Sequence, residues 1–267
     1  MAEVEKVFDS LSDAFAAQEV IRERIRAKRD EADVVIHAAV RSVHALIMTP
    51  DLAEGIEVVR KALLQTGPAV KTIEDALPSE PGCIHRYVDF WHQQLQSISM
   101  ICAIIDALSD GSLTRHDEIS TKIGAEIYIP LEHFLGGICQ SLAELTRLSR
   151  NRVIRQDYET PVQCFRFAEN IFDGLKQLNL KNDFLRKKYD GVKYEVNHME
   201  NIVYDLSIRS LTSNSKKRPA ETDIAPPPQR SNQVKDRMVL SPAMDERENH
   251  SESIMTDKSP PGKDSKS

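Results

Sequence analysis

The sequence predicts an all-α fold in one large domain, and three observations predict it. Residues 1–211 hold only nine glycines and six prolines, so long stretches run free of the two residues that break helices. Within those stretches apolar residues recur three and four positions apart, the spacing of one helix face. The chain is 267 residues long and 40% apolar, enough for one sizeable core.

The elements follow in order. The first 49 residues contain neither Gly nor Pro, and Val4, Val7, Phe8, Leu11 and Phe15 form a stripe that Ile21, Ile25 and Val35 extend. One or two long amphipathic helices therefore begin the chain. Pro50 stops them and Asp51 is placed to N-cap the next helix, which runs to about Leu77 with an interruption expected at Gly67-Pro68. After P-S-E-P-G a 28-residue stretch lacks both breakers, and Trp91, Leu95, Ile98, Cys102 and Ile105 step by four and three. This predicts one buried helix. Shorter helices are expected at about 114–124, 130–150 and 161–178, bounded by Gly, Pro or an Asp/Thr cap. The last, about 182–210, carries Leu185, Tyr189, Val192, Val196, Met199, Val203 and Leu206 as a heptad seam. Such a seam either dimerises or packs on neighbouring helices; it is assigned here as the oligomer interface. Gly191, inside it, is expected to mark a close approach of another backbone.

From residue 212 aromatics are absent, seven prolines occur and apolar periodicity ends. Residues 1–211 are thus read as the helical domain and 212–267 as a disordered tail. The tail holds ten Lys/Arg against nine Asp/Glu, leaving the domain with 25 basic and 32 acidic residues. Nucleic-acid binding then needs a locally positive surface. No apolar run is long enough to span a bilayer, and the acidic N-terminus lacks the features of a signal peptide; no membrane partner is expected. Cys83, Cys102, Cys139 and Cys164 form no C-x-x-C pair and read as reduced, buried thiols.

The nucleotide-binding, serine-hydrolase and H-E-x-x-H motifs are absent. His37 and His44, seven apart, are too distant to chelate one ion, and no metal site is assigned. Arg86 and Asp89 stand at i, i+3 with opposite charge, which suits an ion pair more than metal ligation. Basic residues cluster at Arg22 to Arg29, at Arg86 with His85 and His92, and at Arg186, Lys187 and Lys188. Interleaved Tyr87, Trp91 and Tyr189 could stack on unpaired bases; solvated, salt-bridged helix faces are the competing reading.

The stretch L-N-L-K-N-D-F-L-R-K-K-Y-D-G-V-K-Y-E-V (Leu178 to Val196), its continuation to Arg209, A-E-L-T-R-L-S-R-N (Ala143 to Asn151) and Q-E-V-I-R-E-R-I-R (Gln18 to Arg26) closely resemble the translin family, over residues 3–211. The resemblance implies a seven-helix all-α subunit that builds a hollow homo-octamer, binds single-stranded RNA and DNA, and joins its paralogue, translin-associated factor X, in an endoribonuclease complex. The catalytic branch carries two Glu at i, i+3 on the third long helix and Asp and Glu at i, i+4 on the fifth. By the resemblance those positions read Arg86 and Asp89, then Gln140 and Glu144, so two acids are missing and a cation replaces one. The K-N-D-F-L-R-K-K-Y-D-G-V-K-Y element is also typical of the non-catalytic branch.

By the same resemblance the nucleic-acid contacts fall on Arg86, with His85 and His92 flanking it, and on Arg60 and Lys61. The implied function is a non-catalytic scaffold subunit in RNA processing, in cytoplasm and nucleus, with no cofactor. The alternatives are a Mg²⁺-dependent endoribonuclease using Asp89, Glu144 and Glu132, or a helical protein-interaction adaptor. Lys216, Lys217 and Arg218 in the tail are a short nuclear-import candidate.

Overall fold

The computed structural model describes residues 2–178, 180, 183–209 and 211, all within one compact unit. The tail from Thr212, with its import candidate Lys216, Lys217 and Arg218, lies outside the described residues.

The absence of Gly and Pro up to residue 49 produces one helix, α1 (Ala2–Met48). Asp51 caps α2 (Leu52–Glu74) by accepting from the backbone N–H of Ala53 and Glu54 at 2.9 and 3.2 Å. The three-residue link folds α2 back along α1. The interruption expected at Gly67-Pro68 does not occur: α2 runs through it. Pro68 leaves one carbonyl unbonded, and the packing of Leu63, Val70 and Ile73, all at most 2% exposed, outweighs it.

The 28-residue buried stretch is also not one α-helix. It begins at Gly82, whose φ of 78° only glycine adopts easily, with α3 (Cys83–Tyr87), tightens into a 3-10 turn (Val88–Trp91), and resumes as α4 (His92–Ser109). A 3-10 turn eclipses residues i and i+3, which puts Val88 and Trp91, 5% and 0% exposed, on one buried edge. Thirteen of the eighteen α4 residues are buried, as a central helix requires. It packs on α1, on α2 and on the later helices α6 (Leu131–Ile154) and α7 (Glu159–Gln177). A second 3-10 turn (His116–Glu118) leads into α5 (Ile119–Ile123), and α8 (Asp183–Ile208) closes the described part. Counting the broken α3 to α4 run as one and the second 3-10 turn with α5 as another, the described residues form seven helical segments and no strand.

The heptad seam is corrected. Leu185, Val192, Val196, Met199 and Leu206 are at most 7% exposed in the single chain, because α8 lies on α6 and α7. Tyr189 stacks on Phe172 of α7 with ring centroids 5.5 Å apart, and Val203 is half-buried. The seam is therefore core of the subunit, unavailable as an oligomer interface. Gly191 faces open space rather than another backbone. The close approaches lie at Gly67, where a Cβ would stand 2.4 Å from the Ile123 carbonyl, and at Gly137, 2.4 Å from that of Gln96.

All four cysteines are free and buried. Burial pushes Cys102 and Cys164 up to about 12 and Cys139 up to about 11, so these thiols stay protonated and unreactive at neutral pH.

Candidate nucleic-acid interface

The 3-10 turn determines what the functional side chains can do. It carries Val88 and Trp91 inward and leaves the Asp89 side chain 82% exposed, engaged with α6 rather than with Arg86. Among the described residues Arg86 makes no ion pair, and Asp89 instead lies 3.3 Å from Nε2 of His133 on α6. The expected Arg86–Asp89 salt bridge is corrected accordingly. His92 Nδ1 is 2.6 Å from the Asp89 carbonyl, and its ring is 5.5 Å from that of His133.

Beside these groups opens a groove of about 410 Å³, lined by His85, Val88, Asp89, Tyr128, Pro130, Glu132, His133 and Phe184. Tyr128 is held in place where its backbone N–H donates to Glu74 Oε1 at 2.8 Å, and His85 meets its ring edge-on at 4.8 Å. Phe184, from the start of α8, reaches over Gly136, and Lys188 lies 5.6 Å above its ring. An exposed cation, Arg86, stands on the adjoining α3. Aromatic rings with cations at the rim can stack an unpaired base and neutralise its phosphate.

Sequence reasoning found His85, Arg86 and His92 here but missed Tyr128, His133 and Phe184. Phe184 precedes the seam residue Leu185 and lies off the seam, a signal that it has a different neighbour. Nothing local marks Tyr128, which reaches the groove from the loop before α6.

The second basic element lies elsewhere. Arg60 is 3.4 Å from Glu57 and donates to Ser109 at the C-terminal end of α4, and Lys61 is exposed beside it. His92 opens α4, so the length of that helix, about 26 Å, separates the two elements. One subunit does not bring Arg60 and Lys61 to Arg86. The Arg22 to Arg29 cluster is the salt-bridged face of the competing reading: Arg22 and Arg26 pair with Glu19, Lys28 with Glu31 and Arg29 with Asp30. Hydrogen bonds from Arg26 and Arg22 hold the Glu19 carboxyl below its usual range.

The Mg²⁺ set implied by the resemblance does not fit. Asp89 meets α6 at His133, while Gln140 lies seven residues further on, about 10 Å along the helix. The side chain facing Gln140 is Gln96, whose Oε1 accepts from Gln140 Nε2 at 3.1 Å. Glu144 is engaged by Arg147 at 3.0 Å and lies 3.5 Å from His44. Arg86 and Asp89 are thus not partners of Gln140 and Glu144 in one locus, which corrects that assignment. The α4 face that does oppose Gln140 carries no Asp or Glu between Asp89 and Asp106. Among the described residues no three His, Cys, Asp or Glu side chains are arranged to hold a metal ion.

Residues 20–210 match the Translin family profile. The chain belongs to the translin family. Translins of Mus musculus, Bos taurus and Homo sapiens are each 30% identical to it over 221 residues, covering 78% of this chain and 94% of theirs. Among solved structures, apo-NeC3PO shares the fold with a TM-score of 0.53 at 15% identity, over 73% of this chain and 95% of that one. AfC3PO in its complex with duplex RNA gives 0.52 at 18% identity, over 79% and 100%. The translin-type helical fold of this chain is therefore shared with C3PO proteins.

Proposed function

We propose that this translin-family chain is a non-catalytic, single-stranded RNA- and DNA-binding scaffold subunit. It self-assembles into a translin-type oligomer and, with the translin-associated factor X paralogue, supports an endoribonuclease complex in RNA processing. The observation that carries the reading is Arg86, exposed and released from Asp89 beside the His85–Tyr128–Phe184 groove. Family membership and the duplex RNA bound in the related AfC3PO structure support RNA as a ligand. The separation of Arg60 and Lys61 from Arg86 fits a strand bound across an assembly, where several subunits contribute contacts. The non-catalytic role is supported by the carboxylate-free α4 face opposite Gln140, and the reading requires no cofactor. Cytoplasm and nucleus both suit an RNA-processing subunit, with Lys216, Lys217 and Arg218 as the nuclear-import element.

The test is a salt titration of binding to a labelled single-stranded oligonucleotide. Arg86→Ala will weaken binding and reduce the slope of log K against log salt by about 0.7, the counterion release of one phosphate contact on a single strand. An unchanged slope would remove Arg86 from the interface. In the same preparations, with Mg²⁺ added, a short single-stranded RNA will remain intact. Cleavage that Asp89→Ala abolishes would establish the nuclease reading instead.

A further inference from the structure

The first five turns of α1 are a helix without a partner in the subunit. α1 has 47 residues against 23 in α2, so it extends about 36 Å further than the helix folded against it. Complete burial on α1 begins only at Ile25, 0% exposed. Ahead of it Val4, Val7, Phe8, Leu11 and Phe15 are 47–65% exposed, yet they occupy one stripe at helical spacing that continues the core-facing side of the same helix. Two exposed Phe on one face, in line with three further exposed apolar residues, are a contact surface rather than a scatter. Residues 3–19 of the arm precede the residues matched to the family profile.

Charge selects the occupant. Residues 3–13 carry Glu3, Glu5, Asp9 and Asp13 against Lys6 alone, while residues 19–29 carry Arg22, Arg24, Arg26, Lys28 and Arg29 against Glu23 and Glu19, the latter bonded to Arg22 and Arg26. Arg24 makes no ion pair among the described residues. A second copy running antiparallel lays Leu11 and Phe15 of each chain against those of the other. That register brings the acidic end of each arm toward the basic turn that begins at Arg22 in its partner. A parallel pair would align acid with acid and base with base, and like charges side by side are unfavourable.

We propose that residues 3–22 of α1 form an antiparallel helix pair with the same residues of a second copy, one of the contacts that build the oligomer. The inference rests on the self-assembly proposed above and names the surface responsible for it. Val4, Val7, Phe8, Leu11 and Phe15 are all exposed in the subunit, so their substitution leaves the fold in place.

The experiment measures the native mass of the full chain, with helicity and oligonucleotide binding followed in parallel. Phe8→Asp with Phe15→Asp will lower the native mass to smaller, folded species of unchanged melting cooperativity. Glu3→Arg with Glu5→Arg will weaken assembly, and adding Arg22→Glu with Arg24→Glu will restore it, because the swapped charges again meet across the pair. A wild-type mass for the Phe variant overturns the proposal, and so does a charge swap that fails to restore assembly after the first half has weakened it. Failure of the binding function is a separate result: loss of oligonucleotide binding by a wild-type chain of full oligomeric mass refutes the nucleic-acid reading and leaves the arm contact standing.

Discussion

Gly137→Ala will destabilise the subunit by about 3 kcal/mol, the upper part of the range for overpacked sites. For a chain of this size that lowers the melting midpoint by roughly 6 to 12 °C. The cost arises where α6 crosses the central helix α4. A Cβ at Gly137 would lie 2.4 Å from the Gln96 carbonyl oxygen, 2.6 Å from the Ser99 Cβ and 3.0 Å from the Met100 backbone nitrogen. Two of these three atoms are backbone of a buried helix that cannot step aside alone. The neighbouring Gly136 would meet mainly the Phe184 ring at 3.1 Å, a side chain with some freedom to rotate. Gly191→Ala supplies the contrast. Its Cβ would meet nothing within 4 Å, and removing a helix-interior glycine adds about 1 kcal/mol of helix propensity. Thermal melts of the two variants should therefore move in opposite directions. If Gly137→Ala melts with the parent, the α4–α6 crossing has room for a Cβ at this position.

This pair of glycines shows what was legible in the sequence. Composition and periodicity identify helices, because breakers and apolar spacing are local. The N-cap at Asp51 and the stop at Pro50 were readable for the same reason. What another helix does to a residue is not local. Gly191 drew attention because it interrupts a seam, whereas Gly137 sits in an ordinary-looking G-G step and carries the tight contact. Pro68 looked like a break, yet packing on both sides holds α2 together.

The candidate site divides along the same line. His85, Arg86 and His92 share one segment and could be found by reading along it, although their geometry depended on the 3-10 turn that Trp91 and Val88 impose. His133 and Tyr128, from the start of α6 and the loop before it, and Phe184, from α8, meet the others only in the fold. The acidic positions failed for a related reason: equal spacing on two helices says nothing about register between them. The structure sets Asp89 against His133 and Gln96 against Gln140.

Met199→Glu is the substitution that separates the two readings of the heptad seam, and the expected result is loss of the subunit's own fold. Met199 is 1% exposed and lies in the middle of α8, between Val196 at 7% and Leu206 at 3%. A carboxylate placed there either stays charged without a partner or takes up a proton, and both alternatives cost free energy. A penalty of about 4 kcal/mol or more, at the high end for single substitutions, is a large part of the stability of a typical domain. The helix would come away from α6 and α7, losing the Tyr189–Phe172 stack. Aggregation or a much earlier melt should follow even at concentrations where any oligomer has dissociated. Met199→Leu, which keeps the volume and adds no charge, should cost less than about 1.5 kcal/mol. An interface seam behaves differently: Met199→Glu would then yield smaller, fully helical species that melt like the dissociated parent. Sedimentation with circular dichroism across a dilution series distinguishes the two, and a well-folded smaller species would return the seam to the space between subunits.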